Sequence, residues 1–92
     1  MRFEWDENKR QENLKRHGID FLAAIEAFNG PLITQEDNRF EYDEERFTTL
    51  GLFHGDVIVV IHSYTSENAI RIISVRKANK HEQKIFYTQI GN

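Results

Sequence analysis

Three cations are set into, or just beyond, a single apolar run: Ile70-Arg71-Ile72-Ile73-Ser74-Val75-Arg76-Lys77. A guanidinium presents a planar fork of N–H donors that matches phosphate or carboxylate oxygens, and a lysine adds a point charge. The run therefore reads in two ways. Either it holds phosphate, or its arginines snorkel to water and pair with some of the chain's 15 Asp and Glu residues. Proton transfer near neutral pH is the province of histidine, and the chain has four: His17, His54, His62 and His81. They share no ligand spacing such as i,i+4, the acidic stretch has no EF-hand pattern, and there is no cysteine, so neither a metal nor a cofactor is expected. No glycine loop that could cradle phosphate and no nucleophile elbow is present, which argues against nucleotide and acyl hydrolases.

These residues need a scaffold to bring them together. The β-branched run around Arg71 reads as a central strand. Simple alternation puts Arg71, Ile73 and Val75 on one face of it and Ile72, Ser74 and Arg76 on the other. Before it, Arg2 to Trp5 reads as a short strand ended by Asp6 as a helix cap. A helix over about Glu7 to Arg16 follows, poor in apolar residues and stopped at His17-Gly18. Asp20 caps a second helix, Phe21 to about Asn29, with Phe21, Ala24, Ile25 and Phe28 at i, i+3, i+4 and i+7. Pro31 to Gln35 reads as a strand and Glu36 to Glu45 as a polar loop. Arg46 to Phe53 and Val57 to Tyr64 form a hairpin across His54-Gly55. Asn79 and Glu82 form a capping-box signal for a last helix.

The expected class is α+β, β-α-α-β-β-β-β-α, with a mainly antiparallel sheet in a single domain over residues 1–92. A two-residue turn pairs Phe53 with Asp56 and Phe47 with His62. The face with Leu50, Leu52, Val57, Val59 and Ile61 is then apolar enough to hold the helices. The other carries Phe47, Thr49, Gly51, Val60 and His62, and a three-residue turn at Ser66 to Asn68 would add Ser74 and Arg76 to it.

The net charge of −3 hides a segregated pattern. Six acidic residues lie between Glu36 and Glu45, whereas Lys9, Arg10, Lys15 and Arg16 gather in one place and Arg71, Arg76, Lys77, Lys80 and Lys84 in another. Separate surfaces for separate partners are one reading, and a merely solvated acidic loop the other. No apolar run approaches the ~20 residues of a membrane span, and a soluble, cytoplasmic protein is expected.

Phe3-x-Trp5-Asp6-x-x-Lys9-x-x-x-Asn13-x-x-Arg16-His17-Gly18-Ile19-x-Phe21-x-x-Ala24, then Glu45-Arg46-Phe47 with Gly51, then Arg71 to Ala78 through Glu82, resemble the BrnT family of type II toxin–antitoxin ribonucleases. Val75 stands where the family usually has alanine, Arg16 where it has lysine, and Phe86 where it often has tyrosine. The resemblance implies a compact RelE-like fold and an endoribonuclease that inhibits translation. It also implies a ribbon-helix-helix antitoxin, BrnA, which would bind in a two-plus-two complex and itself contact operator DNA. A catalytically inactive member that only pairs with the antitoxin and modulates its operator binding is the alternative.

Metal-free RNA cleavage needs a base for the 2′-OH, an acid for the leaving oxygen, and cations for the phosphorane. His62, at a strand end and, in the register above, on the face of Ser74 and Arg76, is the expected proton-transfer residue, unless it is a hydrogen-bonded structural histidine. Arg76 and Arg71 are expected at phosphate with Arg46 as a third, a salt bridge being the competing role for Arg46. Lys80, Lys84 and Tyr87 at i, i+4 and i+7 form a stripe suited to single-stranded RNA, or an ordinary solvated helix face. Lys77, and from the N-terminal cluster Lys9, Lys15 and Arg16, would extend the RNA-binding surface. His17 reads as a partner of the helix C-terminus.

Overall fold

The computed structural model describes residues 1–37 and 44–91. The elements follow the expected order: β1 Arg2–Glu4, α1 Glu7–His17, α2 Leu22–Phe28, β2 Leu32–Asp37, β3 Arg46–Phe53, β4 Asp56–Tyr64, β5 Ala69–Lys77 and α3 Lys80–Ile90. The class is α+β. The expected loop from Glu36 to Glu45 falls mostly outside the described residues, and β2 runs to Asp37 at its start.

Local chemistry explains the boundaries. The Asp6 carboxylate accepts from the backbone N–H groups of Asn8 and Lys9 to open α1, and Gly18 closes it at φ 71°. Asp20 accepts from the N–H of Leu22. Asn79 and Glu82 exchange both bonds of a capping box at the start of α3. His54 and Gly55 both have positive φ, as a two-residue turn matching strand twist requires.

The five strands lie in the order β1-β5-β4-β3-β2. All neighbours are antiparallel except β1, which runs parallel to β5 through only three pairs, Arg2–Ala69 to Glu4–Arg71. Phe53 faces Asp56 and Phe47 faces His62, in the expected register. His62 also faces Ile72, but the ladder then slips. Ile61 pairs with Ser74 rather than Ile73, which leaves Ile73 as the extra residue of a β-bulge.

That single residue corrects two expectations. Ser74 and Arg76 do not join the face of His62, because they pair with Ile61 and Val59 on the opposite side. Nor are the two arginines separated. Arg71 alternates with Ile70 and Ile72, and Arg76 follows Val75, while Ile70, Ile72 and Val75 all belong to one buried cluster. Both arginines therefore face away from that cluster, on one surface.

The helices also divide differently from expectation. The supposedly more polar face is the one that α2 and the segment leading into it cover, with Ile58, Val60, Ile70, Ile72 and Val75 against Ile19, Phe21, Ala23, Ala24 and Ala27. The opposite face, Leu50, Val57 and Val59, is covered by α3 through Phe86. Small residues make the first packing possible. A Cβ on Gly51 would lie 3.0 Å from the Ala27 Cβ and 3.3 Å from the Ala27 carbonyl oxygen. Gly51→Ala is expected to push α2 off the sheet and destabilise the fold by about 1–3 kcal/mol. A urea midpoint unchanged from wild type would show that the helix moves at no cost.

Candidate nucleic-acid cleft between α1 and β5

Because β1 stops at Glu4, the edge of β5 beyond Arg71 has no strand neighbour. α1 crosses there instead, although its face is nearly devoid of apolar side chains and Leu14 is 38 % exposed. What binds the helix to the sheet is an amide. Asn13, only 7 % exposed, accepts from the N–H of Val75 (3.1 Å) and donates to the Val75 carbonyl (2.8 Å) and to the Ile19 carbonyl (3.0 Å). The Ser74 hydroxyl donates to the same Asn13 oxygen at 3.4 Å. One side chain thus stands in for the next residue of a strand.

Around this amide lies an open cleft of about 440 Å³, lined by Lys9, Glu12, Asn13, Arg16, His17, Ile73 and Ser74. Lys9, Asn13 and Arg16 fall at i, i+4 and i+7, so one helical face presents two cations across the buried amide. Neither cation makes an ion pair among the described residues. Their neighbour Arg10 is engaged elsewhere. Its guanidinium meets both Asp20 oxygens at 2.8 Å and also Glu7. The guanidinium holds the Asp20 carboxyl below its usual range, and Asp20 raises Arg10 above its own.

Arg71 and Arg76 lie on the sheet surface that adjoins the cleft, with Ser74 between them. At ~3.3 Å per residue they sit roughly 10 Å and 7 Å from Ser74 along the strand. Each meets a carboxylate. Arg71 donates to Glu4 at 2.7 Å. Arg76 donates to both oxygens of Glu82 at 2.8 Å, which, with the Asn79 N–H, holds the Glu82 carboxyl below its usual range. Of the two readings of this run, carboxylate pairing is therefore present. Half of the Arg71 side chain and a third of the Arg76 side chain nevertheless stay open to solvent. Arg46 alternates with Phe47, which stacks on His62, so it points to the same surface from β3.

His62 does not. Its side chain is fully buried, with the Phe28, Tyr64 and Phe47 rings at 5.1, 5.3 and 5.9 Å. Nε2 meets the Thr49 hydroxyl at 2.7 Å, Thr49 meets Thr34 at 2.7 Å, and Nδ1 has no hydrogen-bond partner among the described residues. Desolvation pushes the imidazole down to about 4. The expected proton-transfer residue is thus a neutral core histidine on the far side of the sheet from Arg76. His54 lies at the exposed hairpin near Glu26, and His81 lies on the outer side of α3.

The lysines scatter. Lys9 is in the cleft, Lys15 points away on the solvent side of α1, and Lys77 pairs with Ile58, on the opposite surface from Arg76. Lys80 and Lys84 are exposed on α3, and Tyr87, half-buried, packs beside Phe86 at 5.3 Å against the core. Lys9 and Arg16 belong to the basic cluster that charge counting picked out; the residues of the cleft that it passed over are Glu12, His17 and Ser74. A polar Asn13 midway along a helix short of apolar residues was the available signal. Among the described residues no three His, Asp or Glu side chains are placed to hold a metal ion, and no helix is long and apolar enough to cross a membrane.

Comparison with known proteins places this arrangement. The family described as the ribonuclease toxin BrnT of type II toxin–antitoxin systems matches residues 5–82. The crystal structure of the Brucella abortus ribonuclease toxin BrnT is similar, at 33 % identity and a TM-score of 0.66, over 87 % of this chain and 99 % of that one. No curated protein sequence matches. All seven residues lining the cleft lie within the stretches Phe3–Ala24 and Arg71–Glu82, and six of them, all but Glu12, are specified positions of the motifs that carry the sequence resemblance; on the family match and the shared fold, the chain belongs to the BrnT family of ribonuclease toxins.

Proposed function

We propose that this chain is the toxin of a type II pair, cleaving RNA without a metal ion and so inhibiting translation. The observation that supports it most is the pair of uncompensated cations, Lys9 and Arg16, in a cleft roomy enough for a nucleotide. Cations with no carboxylate partner gain most from a phosphate, because nothing has to be displaced. Arg71, Arg76 and Arg46 on the adjoining surface would receive the flanking phosphates, with Glu4 and Glu82 releasing two of them on binding.

The antitoxin has the same chemistry to satisfy. A ribbon-helix-helix protein of the BrnA kind, binding as a dimer with one toxin on each copy, would lay acidic side chains over Arg71, Arg76 and Lys80 in place of RNA. Association should then be fast and salt-sensitive. With RNA as substrate and such an antitoxin as partner, the proposed activity is a cytoplasmic one.

Antitoxin-free protein incubated with RNA in EDTA is expected to cleave it. RNA left intact, with and without ribosomes, would establish the inactive binding module instead, a reading favoured by the bidentate hold of Glu82 on Arg76. Cleavage only after Mg²⁺ addition would overturn the metal-free course.

A further inference from the structure

We infer that Glu12 and His17 are the proton-transfer pair of the cleft, Glu12 as base for the 2′-OH and His17 as acid for the leaving oxygen. This rests on the ribonuclease reading. It begins with geometry. On an α-helix advancing ~100° per residue, Arg16, Lys9 and Asn13 occupy an arc of roughly 60°, with Glu12 about 40° to one side and His17 about 40° to the other. The two groups thus bracket the cations, about 7.5 Å apart along the axis. In-line displacement at phosphorus asks for this arrangement: charge stabilisation at the centre, with a base and an acid on opposite sides.

Neither group is committed to a hydrogen bond or ion pair elsewhere among the described residues. The C-terminus of α1 is capped by the Gly18 N–H, which bonds the Leu14 carbonyl at 2.9 Å. The half-buried His17 ring makes no hydrogen bond or ion pair among the described residues. Glu12 stands one turn before Arg16 yet forms no ion pair with it. His17 is also the only imidazole that lines the cleft among the described residues. The charged groups around the pair are Lys9 and Arg16 on α1 and, from β5, Arg71 and Arg76 on the adjoining surface. Asn13 and Ser74 contribute neutral polar atoms to the wall.

The polarity follows from the chemistry of the two groups: a carboxylate has lone pairs to take a proton and no proton to give, whereas an imidazolium has an N–H to donate. Glu12 takes the 2′-OH proton, and the oxygen so freed bonds to phosphorus. The bond from phosphorus to O5′ breaks, and O5′ takes a proton from His17. The products are a 2′,3′-cyclic phosphate and a 5′-hydroxyl, with no water, oxidant or metal consumed. Transfer of one proton from Glu12 to His17 through solvent resets the site.

The test compares Glu12→Gln and His17→Gln with wild type, all freed of antitoxin, on an RNA whose cleaved ends are identified. Each variant is expected to keep its urea midpoint and KM within about twofold and to lose ~10²-fold in kcat, as for removal of one acid–base group. The pH profile separates the roles: Glu12→Gln loses the acid limb and His17→Gln the alkaline limb. Wild-type kcat in either variant, a preserved limb, or a product carrying a linear 3′-phosphate from the first turnover would overturn the assignment alone. RNA left intact by wild type would overturn the assignment and the ribonuclease reading together.

Discussion

Asn13→Leu is expected to remove most of the stability of the fold. Leucine is close in size to asparagine but strips the partners from the N–H and carbonyl of Val75 and from the carbonyl of Ile19, all in residues at most 7 % exposed. A buried backbone group left without a partner costs about 1–3 kcal/mol, and three of them rival the roughly 5–15 kcal/mol that a domain of this kind possesses. Urea unfolding should show a loss of at least ~3 kcal/mol or no cooperative transition at all. Asn13→Asp provides the finer control, because it keeps the acceptor for Val75 and Ser74 while setting a carboxylate against two carbonyl oxygens. It too should be severely destabilised, and a wild-type midpoint in both variants would show that the amide bridge contributes nothing net.

Acidification should be the second large effect, and it acts through His62. The imidazole is held neutral down to about 4 in the folded state, against 6.5 for the free side chain. Between those values the unfolded chain binds more protons than the folded one, so stability rises with pH across that window. The contribution is complete above pH ~6.5, and about 2 kcal/mol of it is gone at pH ~5, approaching ~3 kcal/mol near pH 4. Unfolding free energies measured in urea from pH 7.5 to 5 should therefore fall steeply in wild type. In His62→Leu the slope should flatten, while Thr49 keeps its hydrogen bond to Thr34. Parallel slopes in the two proteins would mean that His62 takes up its proton without disturbing the core.

The order of elements, the caps and the hairpin register were legible because each is decided locally: Asp6, Gly18, His54-Gly55 and Asn79-x-x-Glu82 act over four residues or fewer. The face assignments were not. Alternation along β5 is a local rule, and a β-bulge is a decision taken between strands, which nothing in Ile72-Ile73-Ser74 announces. That one displaced residue sent Arg76 away from His62 and toward Arg71. Burial of His62 was equally hidden, because its aromatic enclosure comes from Phe28, Phe47 and Tyr64 on three different elements. The cleft was half legible. Lys9 was expected at a nucleic-acid surface, but His17 read as a helix-end residue because its neighbourhood with Ser74 depends on the crossing of α1 over an unpaired strand edge.

The amide bridge from Asn13 to Val75 spans 62 residues, and that separation sets a clock. A ribosome adds about 5–20 residues per second, so α1 is synthesised roughly 3–12 s before the strand edge it must dock on. During that interval the growing chain has the cleft's helical wall but not its other wall. With the cleft as the proposed site of RNA cleavage, a nascent copy would spare the RNA that encodes it, and competence would arrive only when β5 closes the ladder.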